Sequence, residues 1–231
     1  MTKVIGHRGA RGLAPENTIE AIEAAIRAGA DAVEIDVRVS ADGVPVLNHN
    51  PFLQDDKGND LPHVQIHKLS YAELLTRKAS LPTLEEAIRR VSRRVPMIIE
   101  VKPKVHIRQT VHLVRSFLQQ GWQANDFLLA SFSQRTLQSL HRELPGIDVI
   151  VNEHWSGAIA SWRAKRLRTK HISIGRRVLW WGFVAGMHRR GYNLYTYTLN
   201  DPKKARRWAA RGLYGIVTDF PDIMKQKLNE K

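Results

Sequence analysis

Nine short apolar, β-branched runs punctuate the chain, at Val4–Gly6, Ala32–Val37, Val44–Asn48, Met97–Lys102, Phe127–Ser131, Asp148–Val151, His171–Ile174, Asn193–Thr198 and Tyr214–Thr218. Helical patterns fill most of the gaps. One gap restricts the topology more than any other: only Ala41-Asp42-Gly43 and their neighbours separate the second run from the third. A parallel crossover needs about a dozen residues, so these two runs must form a hairpin. Setting Val44–Asn48 aside leaves eight strands alternating with helices, the pattern of an α/β (β/α)8 (TIM) barrel. An open doubly wound sheet is the competing arrangement. The stretch from Pro51 to Ser80 has weak periodicity and reads as an excursion over about 50–80, with one short helix near Tyr71–Leu75. No linker or low-complexity segment divides the 231 residues, so a single domain over 1–231 is expected.

The helices carry recognisable punctuation. Asn17 with Glu20 resembles a capping box, followed by Ile19, Ile22 and Ile26 on one face and Gly29 at the end. Thr83 with Glu86 repeats the device ahead of Leu84, Ile88 and Val91, while Asp201-Pro202 opens a helix that Gly212 stops. The segment Met1–Ala10 holds no apolar stretch long enough for a signal peptide, and no segment approaches the roughly 18 apolar residues of a membrane span. A cytoplasmic location is the expectation. There is no cysteine, which excludes disulfides and thiolate metal sites.

The net charge is +14, from 36 Lys and Arg against 22 Asp and Glu. The basic clusters, Arg163 to Lys170, Arg189-Arg190 and Lys203 to Arg211, all fall on helical segments in the second half. They read either as solvated helix faces or as an attraction for anionic substrates and lipid headgroups. Aromatics are sparse within them and no nucleic-acid motif is present, so no nucleic-acid partner is expected. Weak contact with an anionic membrane surface stays open, and oligomeric state is not legible.

Reactive groups of a (β/α)8 barrel gather at the C-terminal ends of its strands. His7 and Arg8 follow the first strand, Glu34 and Asp36 lie in the second, His49 ends its hairpin partner, and Glu100 and Lys102 close the next. Strand alternation sends Glu34 and Asp36 to one face, and Val33, Ile35 and Val37 to the other. Paired buried carboxylates repel and lose hydration, so something must compensate them. Three acids without cysteine favour a hard divalent ion, Mg2+ or Ca2+; ion pairing to Arg8, Arg38 and Lys102 is the alternative. The loop His7-Arg8-Gly9-Ala10-Arg11-Gly12 is tight and basic, suited to a phosphate or serving as a plain βα turn.

Taken together, these segments resemble the glycerophosphodiester phosphodiesterase (GDPD) family. The matching pieces are His7-Arg8-Gly9, Pro15-Glu16-Asn17-Thr18, Glu34-Ile35-Asp36, Asp42-Gly43 and His49, then Leu81 to Glu86, Glu100-Val101-Lys102, Ser131-Phe132, Thr198-Leu199-Asn200 and Gly215 to Asp222. The resemblance implies a distorted barrel with a family-specific insertion and one divalent cation held by Glu34, Asp36 and Glu100. It also implies His7 and His49 as the acid/base pair, and Arg8 and Lys102 as phosphate ligands. The implied reaction hydrolyses a small-molecule glycerophosphodiester to sn-glycerol 3-phosphate and an alcohol. The sequence departs from the family at Asn50, where aspartate is usual, in the segment Phe52 to Gly58, and at Tyr197, where tryptophan is frequent. Two other functions share the fold. A lysophospholipase D working at a membrane would use an apolar lip such as Leu179-Trp180-Trp181 beside Arg176-Arg177. A non-catalytic binding protein is suggested only by Asn50, and the presence of both histidines and all three acids argues against it.

Overall fold

The computed structural model describes residues 1–55, 57, 59–102 and 106–230, and so leaves Asp56 and Gly58 of the divergent segment outside. Its strands are β1 (Lys3–Gly6), β2 (Ala32–Val39), β3 (Pro45–Leu47), β4 (Phe52–Gln54), β5 (Asp60–Gln65), β6 (Met97–Val101), β7 (Phe127–Ser131), β8 (Val149–Glu153), β9 (His171–Gly175), β10 (Asn193–Tyr197) and β11 (Gly215–Thr218). Its helices are α1 (Ile19–Arg27), α2 (Tyr71–Leu75), α3 (Leu84–Val91), α4 (Arg108–Gln119), α5 (Gln134–Glu143), α6 (Gly157–Leu167), α7 (Trp181–Arg189), α8 (Pro202–Ala209) and α9 (Pro221–Asn229). Eight strands run parallel in the order β1-β11-β10-β9-β8-β7-β6-β2, and pairing of β2 with β1 closes the ring. The barrel is therefore closed, which excludes the open sheet. As the short link requires, β3 lies antiparallel on β2, with Val37 opposite Leu47 and Val39 opposite Pro45.

Each barrel strand is followed by a helix that covers its outer face. Val33, Ile35 and Val37 of β2 pack outward with Ile22, Leu84 and Ile88 into the main core. Full burial of each such side chain contributes about 1.5–3 kcal/mol. Inside the barrel a second, smaller layer holds Ile5, Ala32, Ile98, Ala130, Ile150, Tyr195 and Val217. Two residues further along each strand, the same inward face carries His7, Glu34, Glu100, Phe132, Asn152, Tyr197 and Asp219, because strand side chains repeat with period 2. The apolar layer is thus the floor of whatever the second layer builds.

The expected capping box of Thr83 and Glu86 forms, with Thr83 Oγ1 accepting from Glu86 N at 3.1 Å. The one expected at Asn17 does not. Thr18 is the N-cap of α1, accepting from Ala21 N, and Asn17 is held left-handed at φ 56°. Its side chain is engaged elsewhere, in the site below. The excursion after β3 contains the short helix expected at Tyr71–Leu75, and also the β4–β5 hairpin, which no periodicity announced. Leu53, Ile66, Leu74 and Leu81 give it a small core of its own with Val46. β5 escapes detection because most of its residues are exposed or half-buried and Pro62 interrupts it.

Candidate active site

All seven site residues expected from sequence, His7, Arg8, Glu34, Asp36, His49, Glu100 and Lys102, line one cavity of about 580 Å3 at the C-terminal end of the barrel. Parallel pairing of β2 with β6 sets Asp36 beside Glu100, and Glu34 lies two residues back on the same face. One carboxylate oxygen from each of the three lies within 4.8 Å of the others. Burial raises Glu34 well above the usual carboxylate range, reinforced by the charges of Asp36 and Glu100. Burial also raises Glu100, against the opposing pull of Lys102. Asp36 goes the other way: burial would raise it, but Lys102 and Arg8 outweigh burial and hold it down.

Lys102 Nζ bridges Asp36, at 2.5 Å, and Glu100. Arg8 Nε is 3.3 Å from Asp36 Oδ2, buried and without a hydrogen-bond partner among the described residues. The Arg8 backbone N donates to Glu34 Oε2 at 2.9 Å, and its NH1 donates to Glu16 at 2.7 Å. Ion pairing therefore accounts for part of the acid cluster, through Arg8 and Lys102. Arg38 forms no ion pair with the trio among the described residues, since its guanidinium donates to the carbonyl oxygen of His49, and it acts on Asp36 and Glu100 only through its charge. Glu34 has no Lys or Arg side-chain partner among the described residues. Three hard oxygen donors, one of them without a cationic partner, suit a divalent cation, so the trio can hold a metal.

The loop after β1 adopts unusual backbone to achieve this. Arg8 is left-handed at φ 52° and Gly9 sits at φ 83°, where a Cβ would meet the Ala21 carbonyl carbon at 2.5 Å. Asn17 then reaches under the loop: its Nδ2 donates to Asp36 Oδ2 at 2.9 Å and its Oδ1 accepts from Asp36 N at 3.0 Å.

The two histidines have unlike supports. His7 Nδ1 donates to Asp219 Oδ1 at 2.6 Å, and Asp219 is itself fixed by Asn200 Nδ2 at 2.7 Å and Arg11 Nε at 2.9 Å. Burial lowers the His7 pKa, with the Asp219 bond opposing. His49 lies two residues beyond β3 and pairs through Nδ1 with Asn50 Oδ1 at 2.7 Å. Asn50 Nδ2 donates to both oxygens of Asp60, at 2.7 and 2.8 Å. A carboxylate only accepts, so this fixes the amide orientation and makes His49 Nδ1 the donor, leaving Nε2 with a free lone pair. Burial brings His49 down to about 4, against the pull of Asp36.

Sequence reading overlooked several neighbours. Asp219 stood in a matching block without a role, and Asn152 and His154 drew no attention. Asn152 Nδ2 donates to Glu100 Oε2 at 2.8 Å, and His154 stacks on Phe132 with ring centres 4.2 Å apart. The available signal was position: Asn152 and Asp219 follow apolar floor residues by two. Tyr197, a departure from the family, also lines the cavity and donates from its hydroxyl to Glu153 O at 2.8 Å.

Comparison with known proteins follows the same lines. The model of the glycerophosphoryl diester phosphodiesterase family matches residues 7–223. A glycerophosphodiester phosphodiesterase of Bacillus altitudinis is 28% identical over 240 residues, covering 96% of each chain. Among solved structures, an Oleispira antarctica phosphodiesterase in complex with the product sn-glycerol-3-phosphate superposes with TM-score 0.86 at 26% identity, covering 100% of this chain and 98% of that one. The Thermotoga maritima glycerophosphodiester phosphodiesterase gives 0.78 at 26% identity, covering 98% of both. The chain belongs to the glycerophosphoryl diester phosphodiesterase family, a family of phosphoric diester hydrolases.

Proposed function

We propose that this protein hydrolyses glycerophosphodiesters to sn-glycerol 3-phosphate and an alcohol, with His49 as general base, His7 as general acid, and Mg2+ or Ca2+ at Glu34, Asp36 and Glu100. The observation that carries the reading is the unlike support of two histidines flanking one acid cluster. Asp219 behind His7 stabilises the imidazolium that an acid must carry. Asn50 behind His49 brings no charge, and its bond leaves Nε2 free to take a proton. Both rings line the one cavity and feel the charge of Asp36, which supports a shared role around the acid cluster.

A phosphodiester monoanion resists nucleophiles through its own charge. The cation, when bound, supplies positive charge that offsets it. The Arg8 Nε donor, ion-paired with Asp36 but without a hydrogen-bond partner among the described residues, supports a bond to a phosphate oxygen, and the Lys102 ammonium adds charge beside the acids. His49 takes the proton of the nucleophile, either water or the substrate's own glycerol hydroxyl; in the second case the alcohol leaves a cyclic phosphate, which water must then open to give glycerol 3-phosphate. His7, as imidazolium, gives its Nε2 proton to the departing alkoxide, and Asp219, bonded to Nδ1, holds the ring in the orientation that does so. The whole of 1–231 serves as one catalytic unit, with the insertion of about 50–80 supplying Asp60 behind Asn50.

The test is a panel of glycerophosphocholine, glycerophosphoethanolamine, glycerophosphoglycerol and lysophosphatidylcholine, read by release of glycerol 3-phosphate. Release from at least one of the first three is expected. A folded, metal-supplemented protein that releases none overturns the reading. Choline release from lysophosphatidylcholine alone would reassign it to lysophospholipase D.

A further inference from the structure

Four of the six tryptophans, Trp155, Trp162, Trp180 and Trp181, are between 56 and 79% exposed. Apart from Met1, the other exposed large apolar side chains among the described residues are Leu13, Ile159 and Ile223. Their distribution is one-sided. Leu13 follows β1; Trp155, Ile159 and Trp162 fall in the loop after β8 and the first two turns of α6. Trp180 and Trp181 begin α7 after β9, and Ile223 is in the first turn of α9 after β11. Every one lies past the C-terminal end of a barrel strand, the end that holds the cavity. Met1 apart, none sits among the described loops at the opposite end.

The tryptophan-bearing segments meet one another and the cavity wall. A Cβ on Gly157 would lie 2.5 Å from the Phe183 ring, so the first turns of α6 and α7 touch. Trp155 sits 5.9 Å from His154, which lines the cavity and stacks on Phe132. Large apolar side chains gathered on one surface normally mark a contact.

Charge identifies the contact. From His154 to Asn200 the chain carries nine Lys and Arg and no Asp or Glu. Arg163 turns inward to Glu153, but the exposed Arg176 and Arg177, a few residues ahead of Trp180, pair with no carboxylate among the described residues. Arg166 lies 5.0 Å over the Trp162 ring. A second copy docking on this rim would oppose unpaired arginines with arginines. Tryptophan mixed with unpaired arginine instead fits the interfacial zone of a bilayer, where indole rings sit at headgroup level and arginine meets lipid phosphate.

We propose that the barrel mouth docks on anionic lipid bilayers, with Trp155, Trp180 and Trp181 entering the interfacial zone and Arg176 and Arg177 on lipid phosphates. Docking so would hold the cavity at headgroup depth. This concerns where the mouth rests, and holds whichever diester is cleaved.

Sedimentation with vesicles of phosphatidylcholine, alone or mixed with phosphatidylglycerol, tests it at low salt, with tryptophan emission recorded in parallel. The wild-type protein is expected to bind the mixed vesicles preferentially, with a blue shift, and to release as salt rises. Trp180→Ser/Trp181→Ser should weaken partitioning on the order of tenfold or more. Arg176→Ser/Arg177→Ser should lose about 25-fold, and only on the anionic vesicles, since each basic residue near such a surface contributes about fivefold. A melting transition like that of the wild type establishes that each variant is folded. Three results overturn the proposal: no vesicle binding at low salt, binding that survives the tryptophan replacement unchanged, or self-association abolished by that replacement without vesicle binding.

Discussion

Asn50 turns its amide nitrogen to Asp60 and its carbonyl oxygen to His49, so that the Asp60 carboxylate reaches the second histidine only through a neutral intermediary. Replacing Asn50 by Asp alone would set two carboxylates against each other, and one would hold a proton. The exchange Asn50→Asp/Asp60→Asn instead puts a single carboxylate directly on Nδ1. In that double variant the acidic limb of the kcat/KM profile should move upward by roughly one to three pH units. The single Asn50→Asp variant should move it less. A limb that stays put in the exchange variant means that another group titrates there.

Removal of either histidine should cost on the order of 10²-fold or more in kcat/KM. The two losses should differ in kind. A nitrophenyl phosphodiester needs little protonation on departure, so it should restore much of the rate of His7→Ala and little of that of His49→Ala. Equal rescue of both variants would remove the division of labour between them.

Metal binding at the trio should release protons. Glu34 and Glu100 are raised by burial and must ionise to bind a cation, so affinity should tighten as pH rises. Titration calorimetry in buffers of different ionisation enthalpy reads the protons directly. Excess chelator should abolish turnover and Mg2+ or Ca2+ restore it; full activity in chelator contradicts the assignment.

Glu34 should also cost stability when no metal is bound. Its folded pKa lies above the unfolded value of 4.5, so as pH climbs past 4.5 the unfolded chain gives up a proton that the folded chain keeps. Stability falls in that window. In chelator, Glu34→Gln should therefore melt above the wild type, by a margin that widens with rising pH, while losing activity. About 1 kcal/mol would appear as ~2–4 °C. A margin independent of pH would show that Glu34 is not the group responsible.

The barrel was legible because a six-residue link cannot cross over, and because eight β-branched runs alternate with helices. The acid cluster was legible from alternation in one strand, Glu34 with Asp36. What stayed hidden depends on distance along the chain. His7 and Asp219 are 212 residues apart, and only closure of β1 against β11 brings them together. Asn17 looked like a helix cap since its residue type and spacing from Glu20 satisfy that motif. Its left-handed backbone, which diverts the side chain to Asp36, leaves no mark in the sequence. The β4–β5 hairpin, with few buried side chains, lacks the alternation by which strands are recognised.

The floor of Ile5, Ala32, Ile98, Ala130, Ile150, Tyr195 and Val217 closes the cavity, among the described residues, toward the N-terminal end of the barrel and leaves its mouth at the C-terminal end. Traffic through it is consequently one-way-at-a-time: whatever reacts there must back out along the route by which it entered. On the proposed reading, a product that keeps the phosphate retains the group that Arg8 and Lys102 would attract, so the phosphate-bearing half is the one expected to leave last. On that reading, turnover would depend on clearance as well as on bond breaking. An inhibitor need only cork the entrance, without matching the chemistry below.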